Sequence, residues 1–170
     1  MKAWRCFFLA LALAGAQLVT PGALAAEPIR VGVSASLTGT YAAPGSDLLD
    51  GLKMWAYDVN SRGALLGRRV EIVSYDDQSD PDTSARLYEK LISNDQVDLL
   101  IGPYASDVTL AASEVAERHG FPMVSPSASA TGIWSRGYQN VFQVDSPADR
   151  YMDLLIESAS NAGLTTIALA

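Results

Sequence analysis

The hydrophobic pattern alternates between short runs typical of β-strands and longer stretches with helical spacing. Residues 29–33 carry apolar side chains at every second position, which predicts a strand. Apolar residues then recur at helical spacing from 48 to 59, with Ser46 as the predicted N-cap and Gly63 as the stop. Asp80 and Pro81 predict the start of a second helix. Further strands are predicted at 69–75, 97–101, 122–125, 141–144 and 165–169, and further helices at 107–118 and 147–161.

This order of elements predicts an α/β protein with a doubly wound parallel sheet, because alternating strands and helices favour right-handed crossovers that place helices on both faces. The nearly continuous apolar run at 97–101 is typical of a strand covered on both faces. Trp55 lies on the apolar stripe of its helix and is predicted to be core. The strand at 165–169 has no helix after it, so we interpret the sequence as truncated, with 26–145 as a first lobe and 146–170 as a crossover into an incomplete second lobe.

The first 25 residues have the pattern of a cleaved signal peptide. Lys2 and Arg5 precede an apolar run at 6–19, and small residues at 23–25 provide a cleavage site. A retained membrane anchor is the alternative, but the run is short for a bilayer span and is broken by a proline and a glycine. The predicted mature chain is 26–170, and the predicted location is the periplasm.

Charge and residue usage exclude several classes of function. Without the signal peptide the chain has 145 residues, ten basic and 19 acidic side chains and a formal net charge of −9, which disfavours binding to nucleic acid. The only cysteine, Cys6, lies in the signal peptide, and the only histidine is His119. Neither zinc binding nor histidine-based catalysis is therefore expected, and no cofactor or metal is predicted. Since His119 ends a predicted helix, we expect it to contact the helix dipole.

Ligands of open parallel sheets bind beyond the carboxyl ends of the strands. Hydroxyl-rich segments follow three of the predicted strands, at 36–41, 102–106 and 125–129. Serines beside helix N-termini suit a carboxylate or another small anion. A lone serine such as Ser106 is more often an N-cap than a ligand group, but the second cluster at 125–129 favours a ligand site.

Other candidate residues leave alternatives open. Tyr41, Tyr104 and Trp134 fall in the same loops and would either line a ligand or simply pack. The acidic loop after the second strand lacks the spacing of a calcium loop, which favours a solvated loop with Asp80 as a cap over a metal site. The sequence contains no glycine-rich dinucleotide motif, phosphate-binding loop or nucleophile elbow, which disfavours an enzyme.

A set of motifs across 29–138 resembles the type I periplasmic substrate-binding proteins, in the branch of the leucine-binding proteins associated with branched-chain amino acid ABC transporters. The matching segments, in order, are 29–33, 37–39, 58–63, 67–73, 75–77, 80–81, 101–103, 125–129 and 136–138. The resemblance implies the first lobe of a clamshell that closes on a small ligand and presents it to a membrane permease.

In the amino-acid binders of this family, the position of Ser106 holds the ligand carboxylate. The resemblance also implies that the backbone carbonyl of Ser127 and the hydroxyl of Ser129 lie near the ligand's carboxylate and ammonium. An aromatic residue common in the first loop would fall near Pro44 and is absent, so Tyr41 or Tyr104 would have to replace it.

These observations predict an extracytoplasmic solute-binding component of an ABC importer, for an amino acid or a related small carboxylate or amide. The alternative is the extracellular ligand-sensing module of a receptor, which would carry a membrane segment or a kinase region after its second lobe. A secreted enzyme is the third possibility, and it would need a carboxylate or His119 as its base.

Overall fold

The computed structural model describes residues 26–166 and 168. The predicted signal peptide lies outside the described residues. Five parallel strands form one sheet in the order β2-β1-β3-β4-β5. The strands are β1 (Ile29–Ala35), β2 (Val70–Asp76), β3 (Leu99–Ile101), β4 (Met123–Ser125) and β5 (Val141–Gln143). The helices are α1 (Ala42–Ser61), α2 (Pro81–Ser93), α3 (Ser106–Arg118), α4 (Thr131–Trp134) and α5 (Asp153–Asn161), with a 3₁₀ turn at Ala148–Arg150.

The strand order confirms the predicted doubly wound α/β class. The chain moves from β1 to β2 on one side and then to β3 on the other side of β1. The order therefore reverses between β1 and β3, and such a switch point is where open α/β sheets bind their ligands. Among the described residues, no helix combines the length and apolar character that a bilayer span requires.

Alternate residues of the strands pack against helices on opposite faces of the sheet. On one face Ala56 of α1 packs with Val31 and Val70. On the other face α2 and α3 cover Leu100 and Met123 in the largest core cluster. The core thus holds the strand ends, and the loops beyond them, in a defined arrangement.

Helix α1 begins earlier than the sequence predicts. Its N-cap is Tyr41 rather than Ser46, and the carbonyl of Tyr41 accepts a hydrogen bond of 2.9 Å from the N–H of Gly45. Pro44 fits this first turn because a proline lacks an N–H where none is needed. The predicted stop is confirmed, since Gly63 has φ +104° directly after the helix.

Two burial predictions are wrong. Trp55 is 41% exposed, because the buried stripe of α1 runs through Leu49 and Ala56 and leaves Trp55 at its edge. Leu99 is 40% exposed, so β3 is not covered on both faces along its whole length. Val124 and Phe142 of the neighbouring strands lie on the same face and are exposed as well.

The remaining elements agree with the sequence in part. Asp80 caps α2 through a 2.7 Å bond from the N–H of Thr83, as predicted. The sequence missed the short α4, and the predicted helix at 147–161 divides into the 3₁₀ turn and α5. No strand is assigned to 164–166 or 168, and the rest of the predicted strand at 165–169 lies outside the described residues.

Candidate ligand-binding site

Ser106 joins the loops that follow β3 and β4. It is the first residue of α3, and the N-cap position is held by Ala105, whose side chain makes no capping bond. The interpretation of Ser106 as an N-cap is therefore wrong. Its Oγ accepts a hydrogen bond of 3.2 Å from the backbone N–H of Ala130, so it faces the β4 loop rather than its own helix.

A second serine also connects these loops. The hydroxyl of Ser127 donates a 3.0 Å hydrogen bond to the carbonyl oxygen of Tyr104. Ser129 is half-buried, and its carbonyl accepts a 2.8 Å bond from the N–H of Ala148. The structure thus brings the two predicted serine clusters together at one edge of the sheet.

Two aromatic side chains lie beside one another at this edge. The rings of Tyr41 and Tyr104 have centroids 6.3 Å apart and an interplanar angle of 53°, within the range of a favourable aromatic pair. The Tyr41 hydroxyl donates a 3.3 Å bond to Oδ2 of Asp107. The negative charge of Asp107 is the main reason that the pKa of Tyr41 is raised, with desolvation, the hydrogen bond itself and Tyr104 adding to it. Tyr41 is therefore neutral at physiological pH.

Trp134 and His119 occupy different surroundings. Trp134 ends α4, and its Nε1 is buried with no hydrogen-bond partner among the described residues. His119 is the C-cap residue of α3, and its Nε2 lies 2.7 Å from Oε2 of Glu89 on α2. His119 is therefore part of a contact between two helices.

The acidic loop after β2 is organised by hydrogen bonds. Asp77 is fully buried and accepts bonds from the hydroxyls of Ser34 at 2.8 Å and Ser36 at 2.7 Å. Asp76 accepts backbone bonds from Leu37 and Gln78 at 2.9 and 2.8 Å. Within residues 26–166 and 168, no group of histidine or acidic side chains has an arrangement that could hold a metal ion. These carboxylates bind the first two loops to each other instead.

Sequence reasoning missed Asp107 and Ser79. Asp107 lies 66 positions from Tyr41, and Ser79 lies 38 positions from it, yet both contact it. No local sequence pattern predicts such a contact, because aspartate is common at helix starts and serine is common in turns. The available signals were the adjacency of Asp107 to Ser106 and the position of Ser79 just after the second strand.

A parallel sheet with a switch point and serines at its strand ends is typical of ligand-binding α/β domains. A family model described as "Periplasmic binding protein" matches residues 28–170. The chain belongs to this family. The resemblance to the branched-chain amino acid branch is also confirmed by the relatives.

Two relatives illustrate the similarity. The Leu/Ile/Val-binding protein of Escherichia coli K12 is 33% identical over 118 residues, which is 69% of this chain and 32% of that protein. A leucine-, isoleucine-, valine-, threonine- and alanine-binding protein of Pseudomonas aeruginosa is 33% identical over 136 residues, 80% of this chain and 35% of that protein. The chain thus spans about a third of the length of the curated relatives it matches.

Solved structures share the fold. The substrate-binding protein LivJ of Streptococcus pneumoniae, in complex with isoleucine, has a TM-score of 0.67 and 28% identity, covering 71% of this chain and 34% of that one. A solute-binding protein of Rhodopseudomonas palustris, in complex with 3,4-dihydroxybenzoic acid, has a TM-score of 0.70 at 23% identity, covering 81% of this chain and 37% of that one. The same fold therefore accommodates different ligands, and the side chains of the site decide among them.

Proposed function

We propose that this chain forms the first lobe of the extracytoplasmic solute-binding component of an ABC importer, and that the complete protein binds an amino acid between two lobes. The observation that carries the proposal is the position of Ser106, at the N-terminus of α3 and directly against the β4 loop. The Leu/Ile/Val-binding relatives and the isoleucine complex support the ligand class.

The N-terminus of α3 suits a carboxylate. A helix start carries partial positive charge and N–H groups that its own backbone leaves without partners. The cap residue Ala105 supplies no side-chain acceptor, and Oδ1 of Asp107 accepts only from the N–H of Val108, so the N–H groups of Ser106 and Asp107 are the donors available to a ligand. We propose that Ser106 donates its hydroxyl proton to the ligand carboxylate, while its oxygen keeps accepting from the N–H of Ala130.

The remaining predicted site residues have proposed roles around the ligand as well. We propose that the Ser127 carbonyl and the Ser129 hydroxyl meet the ligand's ammonium and carboxylate. Tyr41 and Tyr104 would form the apolar side of the site, and their pairing provides the aromatic surface that is missing at Pro44. A second lobe, supplied by the rest of the protein, would cover the ligand from the other side.

The location and the partner are part of the same proposal. A signal peptide at 1–25 would direct the protein to the periplasm, where a membrane permease would receive the ligand. The proposed role is binding rather than catalysis, in line with the names of the Leu/Ile/Val-binding relative and of the transporter substrate-binding protein LivJ.

Titration calorimetry on the complete protein tests the proposal. The probes are L-leucine, L-isoleucine, L-valine and 3,4-dihydroxybenzoate, each at neutral pH. We expect at least one of the three amino acids to bind with a Kd in the micromolar range or below. Binding of the aromatic acid alone would contradict the amino-acid assignment, and the absence of binding to all four probes would contradict the proposed ligand class.

A further inference from the structure

Two neighbouring residues beside the site adopt a backbone conformation that is unfavourable for them. Gln78 has φ +59° and Ser79 has φ +61°, in the left-handed region that favours glycine. Such strain persists only where the surrounding structure holds it, and it often marks a site where position matters. The segment at 76–79, the 76–79 turn, must therefore be held by contacts with its surroundings.

The turn is held by the two preceding carboxylates. Oδ1 of Asp76 accepts from the N–H of Gln78 at 2.8 Å, and Oδ1 of Asp77 accepts from the N–H of Ser79 at 3.0 Å. The N–H of Asp80 donates to the carbonyl of Asp77 at 3.0 Å and closes the turn. Each strained residue thus has its own N–H anchored to an aspartate.

The strained geometry places one hydroxyl between two segments of the first loop. Oγ of Ser79 accepts from the N–H of Tyr41 at 3.0 Å and donates to the carbonyl of Thr38 at 2.8 Å. Asp76 adds bonds of 2.9 Å from the N–H of Leu37 and 2.8 Å from the hydroxyl of Thr38. The first loop is therefore attached to the 76–79 turn at both of its ends.

The two segments approach each other too closely for any side chain between them. A Cβ on Gly39 would lie 2.5 Å from the carbonyl oxygen of Gln78 and 2.8 Å from Oγ of Ser79. Gly39 also has φ +83°, so glycine is required there on both grounds. The close packing leaves the loop little freedom to move relative to the turn.

We propose that Ser79 is a positioning residue for the ligand site, and that the strained 76–79 turn exists to hold the backbone of Tyr41 so that its ring stays beside Tyr104. This inference rests on the proposed function. Ser79 does not touch the ligand. It acts through Tyr41, because preorganising a residue that lines a ligand reduces the ordering cost of binding.

A pair of neighbouring glycine substitutions in the complete protein separates positioning from stability. Ser79→Gly removes the hydroxyl but tolerates the left-handed backbone. Gln78→Gly relaxes the same turn and keeps the hydroxyl. Both add backbone freedom at adjacent positions, so they differ chiefly in the bonds to Tyr41 and Thr38.

Two measurements are made on each variant: the Kd for L-leucine by titration calorimetry, and the amide exchange rate of Tyr41 by NMR. For Ser79→Gly we expect about fivefold weaker binding, because Tyr41 must then be ordered when the ligand binds, and exchange of the Tyr41 amide at least tenfold faster. For Gln78→Gly we expect binding within about twofold of the wild type, with an unchanged or higher Tm.

Equal weakening in the two variants would overturn the proposal, because general loosening of the turn would then explain it. Unchanged binding in Ser79→Gly would overturn it as well. If the wild-type protein binds none of the amino-acid probes, the proposed function fails, and the exchange rates alone decide the inference. Faster exchange of the Tyr41 amide in Ser79→Gly but not in Gln78→Gly supports it. Equal exchange rates in the two variants contradict it.

Discussion

The hydroxyl of Tyr41 donates a hydrogen bond to Oδ2 of Asp107 over 3.3 Å, and this contact joins the loop after β1 to the first turn of α3. The two segments follow β1 and β3, the strands on either side of the switch point of the sheet. The contact therefore places a neutral phenol and a carboxylate beside Ser106, the residue proposed to hold the ligand carboxylate.

Asp107→Asn should lower the pKa of Tyr41 toward its ordinary value of about 10, because the carboxylate charge is the largest cause of the upward shift. The measurement is a pH titration followed by NMR of tyrosine ring carbons. Asp82→Asn, which removes an acidic residue from the first turn of α2 instead, is the matched control and should leave Tyr41 unchanged. A Tyr41 titration that is identical in wild type and Asp107→Asn would show that the two side chains do not interact in solution.

Ser106→Ala should weaken binding of L-leucine to the complete protein about ten- to a hundredfold, because a charge-assisted hydrogen bond contributes about 1.5 to 3 kcal/mol. The free energy of unfolding should fall by only about 1 kcal/mol, since the bond from the N–H of Ala130 is lost. Ser113→Ala, on the same helix, is the control for affinity: its buried hydroxyl donates to the carbonyl of Leu110, accepts from Arg136 and lies outside the proposed site. Unchanged affinity in Ser106→Ala would refute the role of this hydroxyl in the site.

Replacing each of two glycines in α1 with alanine should change the free energy of unfolding in opposite directions. A Cβ at Gly45 would lie 2.2 Å from the carbonyl oxygen of Ser36, so Gly45→Ala should destabilise the fold by about 2 to 3 kcal/mol or more. A Cβ at Gly51 meets nothing within 4 Å, and Gly51→Ala should stabilise the helix by about 0.5 to 1 kcal/mol. Urea unfolding of both variants gives the comparison. Similar effects at the two positions would contradict the close contact between α1 and the end of β1.

Acid should loosen the attachment between the first two loops. Desolvation raises the pKa of Asp76, but the bonds from Gln78, Thr38 and Leu37 outweigh it and hold the pKa below its usual value. The stabilisation is complete above the unfolded-state pKa of about 4 and is lost as the pH falls through the lower folded-state pKa. Amide exchange of Leu37, corrected for the intrinsic pH dependence, should therefore lose protection below about pH 4.

Asp76→Asn is the comparison for this acid effect. The amide side chain does not titrate in this range, so the variant should show weaker protection of Leu37 at neutral pH and a smaller further loss in acid. The N–H of Thr83 is bonded to Asp80, and this bond holds the pKa of Asp80 below its usual value. Thr83 should therefore lose protection in acid to the same extent in wild type and Asp76→Asn, which makes it the internal control for the comparison. Equal acid responses of Leu37 in wild type and variant would show that another group controls this loop.

Much of the fold follows from local sequence, because the decisive interactions are between neighbours along the chain. The apolar alternation at 29–33 predicts β1, and the cap formed by Asp80 and Pro81 predicts the start of α2. The serines at the strand ends could be predicted as site candidates because the carboxyl ends of parallel strands meet at one edge. The same rule places them together without any knowledge of their contacts.

Only the tertiary structure decided the start of α1, the exposure of Trp55 and the bonds between loops. Helix α1 extends back to Ala42 because Gly45 packs against Ser36, a contact between a helix and the preceding strand end that no N-cap preference can report. The link from Ser79 to Tyr41 spans 38 positions. Sequence periodicity records which side of an element is apolar, whereas the distance between two loops depends on strand order and packing, which exist only once the sheet has formed.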